Sequence, residues 1–498
     1  MNTTPTEKPL WDRSAADLAA GIRDKDFSAT EVAQAFLGRI DEVNPSVNAL
    51  VDLRPEEALA QAAQADRRTV AGEPLPPLHG VPVATKINTS LRGYASSHGV
   101  PAWADAIAPA DAECLAGLRT AGANLMGRSN SPAFAVRWFT ANDLYGTTLN
   151  PWDAGHTPGG SSGGAAAAVA SGMVPIAQGN DIGGSIRFPA FCCGAVGLRP
   201  TVGLVSATEP GPDGSGEGFD APLSFQTMAV HGPLGWTVDD VRLGLEAMMS
   251  ADLTDPVGLP ELPRLGEPGA RPVRIAVVRD AGPTALHPTV SASLDDAAQR
   301  LAEAGYEVEE VELPLLGEAA RLWSLLLYQE LKTLPEVGLF GDDAVKTSLA
   351  DSFTAAADIW GEQPTLETYI KGYARRGTLI SRLQRYLGDD RLLLTPVCAE
   401  PPFEQDADLA GVERVRELLA AQWPMQAVPV LGFPAISVPT GVRGGLPSGV
   451  QLIGGRFREN LLLAAATEIE ARTARVRPAL SLDAAGNRAV PTGTRPGR

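Results

Sequence analysis

The chain has 498 residues, 44% of them hydrophobic and 20% charged, the make-up of a soluble globular protein with a large core. The formal net charge is −18, and there is no dense Lys/Arg run, which argues against nucleic acid as substrate or partner. No apolar run reaches the ~20 residues that span a bilayer. The longest candidate, residues 164–176, is too short and is rich in Ala and Gly.

The polar start MNTTPTEKPLWDRS has no apolar signal segment. With only Cys114, Cys192, Cys193 and Cys398, this reads as a reduced, cytoplasmic protein. Cys192 and Cys193 are adjacent, which is not the spacing of a zinc pair, and they read as small buried apolar side chains. Nothing in the pattern calls for a metal or a cofactor.

In chain order, residues 12–66 read as helices, with Ser28 and Glu31 in capping-box spacing before Val32. Residues 81–87 alternate: Val81, Val83, Thr85 and Ile87 on one face, Pro82, Ala84 and Lys86 on the other. They read as a strand with Lys86 near its end. A helix is expected over 111–121 and a buried strand over 123–127. A Gly/Pro/Asn/Ser-rich loop follows over 146–164, then a helix over 164–170. Residues 175–179 read as a strand leading into NDIGGSIR. Residues 207–221 and 251–273 are rich in Pro and Gly, and the second is the best linker candidate. Beyond it come a strand (273–278), a helix (290–304) and a strand (307–313), a βαβ-like order. Residues 317–387 read as mostly helical and carry Trp323, Tyr328, Trp360, Tyr369 and Tyr373. Strands are expected over 392–396 and 435–439, a helix over 459–474, and a loose polar tail from about 481.

Three features carry chemistry. Lys86 is one of only six lysines against 35 arginines. Arginine stays charged, whereas a buried lysine can be neutral and act as a base; a strand-end lysine can also simply reach out to water. The loop TPGGSSGGAAAA (157–168) surrounds Ser161 and Ser162 with four glycines ahead of a helix, free to present hydroxyls and N–H groups. No lysine follows its last glycine, so it is not a phosphate-binding P-loop. Gly160, Ser162 and Gly164 fit G-x-S-x-G, but no strand precedes them, and the later histidines, His231 and His287, stand in no telling context. In Asp181-Ile182-Gly183-Gly184-Ser185-Ile186-Arg187, two glycines before a serine let N–H groups converge as in an oxyanion hole, with Asp181 and Arg187 placed to pair; an ordinary tight turn fits as well.

Taken together, LHGVPVATK (78–86), GGSSGG and DIGGSIRFP, with Ser185 at a spacing of 24 from Ser161, resemble the amidase signature family. ECLAGLRTAGANLMGRSN, NPWD, GAVGLRPT, GFPAISVP and GLPSGVQLIG extend the resemblance over about residues 10–475. It implies an α/β fold, a central mixed β-sheet surrounded by helices, as a single domain over 1–480, with 251–273 a surface loop. It implies a Ser–cisSer–Lys triad: Lys86 the base, Ser161 the bridging serine in a cis peptide, Ser185 the nucleophile. The N–H groups of Ile182, Gly183, Gly184 and Ser185 would form the oxyanion hole, with Ser162 hydrogen-bonded in the network. For such work near pH 7 the lysine pKa of ~10.4 must fall by roughly three units. The substrate would be a small or aryl amide, with esters and carbamates as side substrates and no cofactor. An amidotransferase A-type subunit that feeds ammonia to a partner, and an inactive binding protein, are the alternatives. The oligomeric state is open, a homodimer included. Ile87, Ala165 and Pro429 depart from residues common in the family (Asp, Ser and Asn), so no member's specificity transfers.

Overall fold

The computed structural model describes residues 8–210, 220–265, 273–361 and 364–480. The tail from 481, most of the Pro/Gly-rich stretch 207–221 and residues 266–272 of the linker candidate lie outside the described residues.

The expected helical run 12–66 is interrupted. Ser28 and Glu31 do form the capping box, Ser28 N donating to Glu31 Oε2 at 2.8 Å and Glu31 N to Ser28 Oγ at 3.0 Å, which starts the helix Ala29–Val47. Asn48, left-handed at φ 54°, ends it, and the chain runs into a short edge strand, β1 (Leu50–Leu53), before the helix Pro55–Ala71. That helix buries Ala58, Ala62, Ala65 and Thr69, spaced three or four apart, as one small-residue face.

Among the described residues twelve further strands follow: β2 (Pro82–Lys86), β3 (Asn124–Ser129), β4 (Ala141–Asn142), β5 (Gly146–Thr147), β6 (Ile176–Asp181), β7 (Val196–Arg199), β8 (Val230–Gly235), β9 (Arg274–Val277), β10 (Glu307–Glu310), β11 (Arg391–Pro396), β12 (Ala435–Arg443) and β13 (Leu446–Ile453). β4 and β5 form a separate pair, and the other eleven build one mixed sheet in the order β1-β3-β2-β6-β8-β7-β12-β13-β11-β9-β10. β2 lies parallel to both β3 and β6, while β6, β8, β7, β12 and β13 are joined antiparallel. Every residue of β2 is buried, on both faces, because helices cover the sheet on each side. The parallel trio β3-β2-β6 directs three C-terminal strand ends to one edge, the place where open α/β sheets assemble ligand sites.

The strands on either side of residues 251–265 enter the same sheet. That segment packs back on the chain, with Ser206 Oγ donating to Asp252 Oδ2 at 2.7 Å and Ala207 N to Asp255 Oδ2 at 2.9 Å. β9, the helix Pro288–Glu303 and β10 form the expected βαβ unit, the two strands adjacent and parallel. Residues 314–387 form four helices, from which Trp323 and Tyr328 are buried in a second core against the helix Trp423–Leu431, while Trp360, Tyr369 and Tyr373 are half-buried.

The segment between β3 and β5 is fastened from beneath. Arg137, whose side chain is wholly buried, donates Nε to Asp408 Oδ2 and Nη2 to Asp408 Oδ1, both at 2.7 Å, and Nη2 to the more exposed Asp406 at 3.0 Å. Replacing one partner of a buried pair leaves the other charge uncompensated, so Arg137→Ala is expected to cost about 3–5 kcal/mol of unfolding free energy. Asp406→Ala is expected to cost about 1 kcal/mol or less, and urea denaturation of both variants checks the contrast.

Candidate active site

Lys86 ends β2 and is fully buried. Its backbone is clamped from two directions: Lys86 N donates to Gln178 Oε1 at 3.0 Å, and Lys86 O accepts from Arg128 Nη2 at 2.6 Å. The side chain reaches Ser161 Oγ at 2.7 Å and Asn180 Oδ1 at 2.6 Å. Among the described residues no carboxylate lies within ion-pair distance of it. Burial pushes the Lys86 pKa well below the ordinary lysine range, and the negative charge of Asp181 offsets this only in part. Snorkelling to water, the bland expectation for a strand-end lysine, does not occur. Asn180 Oδ1 can only accept, so it takes one N–H of Lys86 Nζ, which donates to Ser161 Oγ as well.

Ser161 follows a cis Gly160–Ser161 peptide bond, and Ser162 caps the wholly buried helix Gly163–Ala170. Small residues are required here. A Cβ on Gly160 would stand 2.5 Å from Arg137 O, and one on Gly164 would stand 2.4 Å from Asn130 N. Ser162 N donates to Ser185 O at 3.1 Å and Ser162 Oγ to Asn180 O at 3.4 Å, which ties the serine loop to the end of β6 and to the turn beyond it.

That turn is wound around Asp181. The carboxylate accepts from Arg187 Nε and Nη2, each at 2.9 Å, from Gly184 N at 3.0 Å and from Ile186 N at 3.2 Å, with Arg199 Nη1 at 3.5 Å. Burial raises the Asp181 pKa, but Arg187 and then Arg199 outweigh it and hold it at about 2. Ser185, only 6% exposed, leaves the turn ahead of the helix Arg187–Cys193. Among the described residues Ser185 Oγ has no hydrogen-bond partner, nor do the N–H groups of Ile182, Gly183 and Ser185. Gly184 departs from the expected set of four donors. At φ 95° its N–H is turned onto Asp181 Oδ1 and is already used.

The sequence-predicted residues thus meet at one place: Lys86, Ser161, Ser162, Asp181, Ile182, Gly183, Ser185 and Arg187. Asn180, Gln178, Arg128 and Arg199 escaped sequence reasoning. The signal for the first two was present, since Gln178 and Asn180 alternate as polar residues within a strand that begins Ile176-Ala177. His231 lies outside the serine–lysine cluster. Its Nδ1 meets Gln178 Nε2 at 3.0 Å, and burial, with Lys86 beside it, pushes its pKa down to about 4. His287 caps the helix Pro288–Glu303 on the surface. All four cysteines are free and buried, and burial pushes the Cys193 and Cys398 thiols up, away from thiolate. Among the described residues no three His, Cys, Asp or Glu side chains gather to hold a metal, and no helix is long and apolar enough to cross a membrane.

Comparison with known proteins identifies the family to which this fold belongs. The amidase family profile matches residues 31–463. An indoleacetamide hydrolase of Bradyrhizobium diazoefficiens is 38% identical over 470 residues, covering 93% of this chain and 87% of the relative. An acylamidase of Rhodococcus erythropolis is 33% identical over 482 residues, covering 95% and 97%. The crystal structure of a bacterial aryl acylamidase of the amidase signature family superposes with a TM-score of 0.78 at 27% identity, covering 93% of this chain and 97% of that one. The chain belongs to the amidase family. It is an amide hydrolase, acting on non-peptide C–N bonds.

Asn180→Leu keeps the volume but removes the acceptor on Lys86 Nζ. It is expected to lower kcat/KM about tenfold, the worth of one hydrogen bond to a polar group. It should also move the acidic limb of the pH–rate profile to lower pH, because an ammonium loses more from a missing acceptor than an amine does. A pH–rate series on both proteins checks the sign.

Proposed function

We propose that Ser185 is the acylated nucleophile, Ser161 the proton relay and Lys86 the base. The observation that carries this reading is the 2.7 Å contact between fully buried Lys86 Nζ and Ser161 Oγ, made without a carboxylate to hold the lysine charged. Neutral Lys86 accepts the Ser161 proton as Ser161 accepts that of Ser185, and Ser185 Oγ bonds to the amide carbon. The carbonyl oxygen, now negative, takes the free N–H groups of Ile182, Gly183 and Ser185. As the tetrahedral intermediate collapses, the C–N bond breaks and the proton returns from Lys86 through Ser161 to the leaving nitrogen. Water then repeats the sequence, freeing the carboxylic acid and regenerating Ser185.

The proposed substrate is a small amide with an aromatic or similarly apolar part. Two half-buried apolar side chains border the Ser185 turn, Ile182 within it and Trp138 hydrogen-bonded to it, and half-buried Trp103 and Phe134, in edge contact with each other at 5.2 Å, would extend that wall. His98 sits edge-on to Trp103 at 5.4 Å, and burial, Arg128 and Lys86 together push it down to about 4, so an uncharged ring completes this wall. The 38% identity to an indoleacetamide hydrolase supports the same class.

Ser185→Ala and Lys86→Ala are expected to lose about 10⁴-fold or more in kcat, as members of one catalytic unit do. Lys86→Arg does not restore activity, because a guanidinium keeps its proton. His231→Asn retains turnover, and loss in the histidine variant alone would sink the assignment. In wild type, kcat/KM rises with pH as Lys86 loses its proton, on a limb well below the ordinary lysine range. An arylacetamide should exceed acetamide in kcat/KM by about 30-fold, the worth of burying a ring, whereas release of ammonia from glutamine at a comparable rate would favour the amidotransferase reading.

A further inference from the structure

Two indoles reach the turn that carries Ser185 from distant parts of the chain. Trp138, from the segment fastened by Arg137, donates Nε1–H to Gly183 O at 2.9 Å. Trp323, from the helix Pro314–Leu331, donates Nε1–H to Ile182 O at 2.7 Å. The two rings stack on each other at 6.3 Å with an interplanar angle of 15°, and Trp323 is braced edge-on by Tyr328 at 5.5 Å. Consecutive peptide planes therefore each have their carbonyl held by an indole of one stacked pair.

In a trans peptide the C=O and N–H point in opposite directions. The only cis bond among the described residues is Gly160–Ser161, so both planes of the turn are trans. Holding Ile182 O toward Trp323 fixes the N–H of Gly183 on the opposite side. Holding Gly183 O toward Trp138 fixes the N–H of Gly184, and that group lands on Asp181 Oδ1. Without such ties a Gly-Gly pair is the part of a turn freest to flip. Trp323 also fills the space beside Gly183, where a Cβ would stand 2.6 Å from its Cζ2. A carbonyl that accepts a hydrogen bond polarises its own peptide, so the bond to Ile182 O makes the Gly183 N–H a stronger donor.

We propose that Trp138 and Trp323 are positioning residues for oxyanion stabilisation, holding the Ile182–Gly183–Gly184 peptides so that the Gly183 N–H stays aimed at the reacting carbonyl oxygen. The proposal rests on the reading of Ser185 as the acylated serine. The indole N–H groups, rather than the bulk of the rings, are what the reaction requires.

The test compares Trp323→Phe and Trp138→Phe with wild type, using active-site-titrated enzyme and an arylacetamide substrate. Both changes keep a ring and delete the donor. The expected result for each is a fall in kcat of about tenfold, one hydrogen bond's worth, with KM within twofold. The Ki of a trifluoromethyl ketone analogue, which forms an oxyanion on the enzyme, should rise by the same factor. Trp236→Phe, at a ring stacked under Arg475 and Arg477 away from the site, leaves all three values unchanged. If either variant fails to fold, the other supplies the same three readouts. Unchanged kcat and Ki, or a loss confined to KM, overturns the proposal while Ser185→Ala remains inactive. An active Ser185→Ala overturns the nucleophile assignment and the proposal with it.

Discussion

The interior of this protein holds a lysine that, among the described residues, has no carboxylate within ion-pair distance. Desolvating an ammonium without a counter-ion is costly, so burial of Lys86 at the end of β2, between β3 and β6 in the eleven-stranded sheet, pushes it toward the free amine. The polar groups around it are arranged to keep that choice. Asn180 and Ser161 take up the amine, Gln178 and Arg128 take up its backbone, and the nearby carboxylate, Asp181, is committed to two arginines. The charge of Asp181 raises the Lys86 pKa against burial, and Arg187 and Arg199 are the partners of that carboxylate. The arginines therefore shape the turn and also temper the pull of Asp181 on an amine at the end of another strand.

The rigidity of the turn comes from crossed fastenings. Asp181 gathers two backbone N–H groups of the turn on its inner side, and two indoles hold carbonyls of the same turn from outside. The segment bearing Trp138 is itself anchored by a buried ion pair to the loop at Asp406–Asp408. Residues some 270 positions apart thereby bear on one pair of glycines. Glycine is needed at 183 and 184 for space, against Trp323 and Met425, and the freedom that comes with it is removed by neighbours.

Much of this was legible in the chain because the informative residues break local rules. A lysine in a strand of an arginine-rich protein, and serines crowded by glycine, stand out against the rest of the sequence. The βαβ unit near 274–310 was readable from periodicity, as was the capping box at Ser28. What escaped depends on tertiary surroundings. β8, VHGPLG, has a proline and two glycines in the sheet interior, where strand preference argues against it; Gly232 is there because Leu198 O would stand 2.4 Å from a Cβ. β7 and β13 likewise carry Gly or Pro, and β1 is four residues long between two helices. The contacts of Trp138 and Trp323 were hidden for another reason: Trp323 sits at helical spacing, where an aromatic is core far more often than not, Trp138 lies in a loop, and only the positions of two backbone carbonyls distinguish them.

Both serines stand one residue ahead of a helix N-cap, Ser161 before the helix Gly163–Ala170 and Ser185 before the helix Arg187–Cys193. The first turn of a helix carries unpaired N–H groups and a partial positive charge. The two ends are answered differently: ahead of the helix Arg187–Cys193, Gly184 N and Ile186 N donate to the Asp181 carboxylate, whereas Gly164 N donates to the Asn130 carbonyl. The alanine-rich helix, buried along its whole length, has no polar side chain of its own, so the partial charge at its start is met by the serine loop and the residues packed on it rather than by the helix itself.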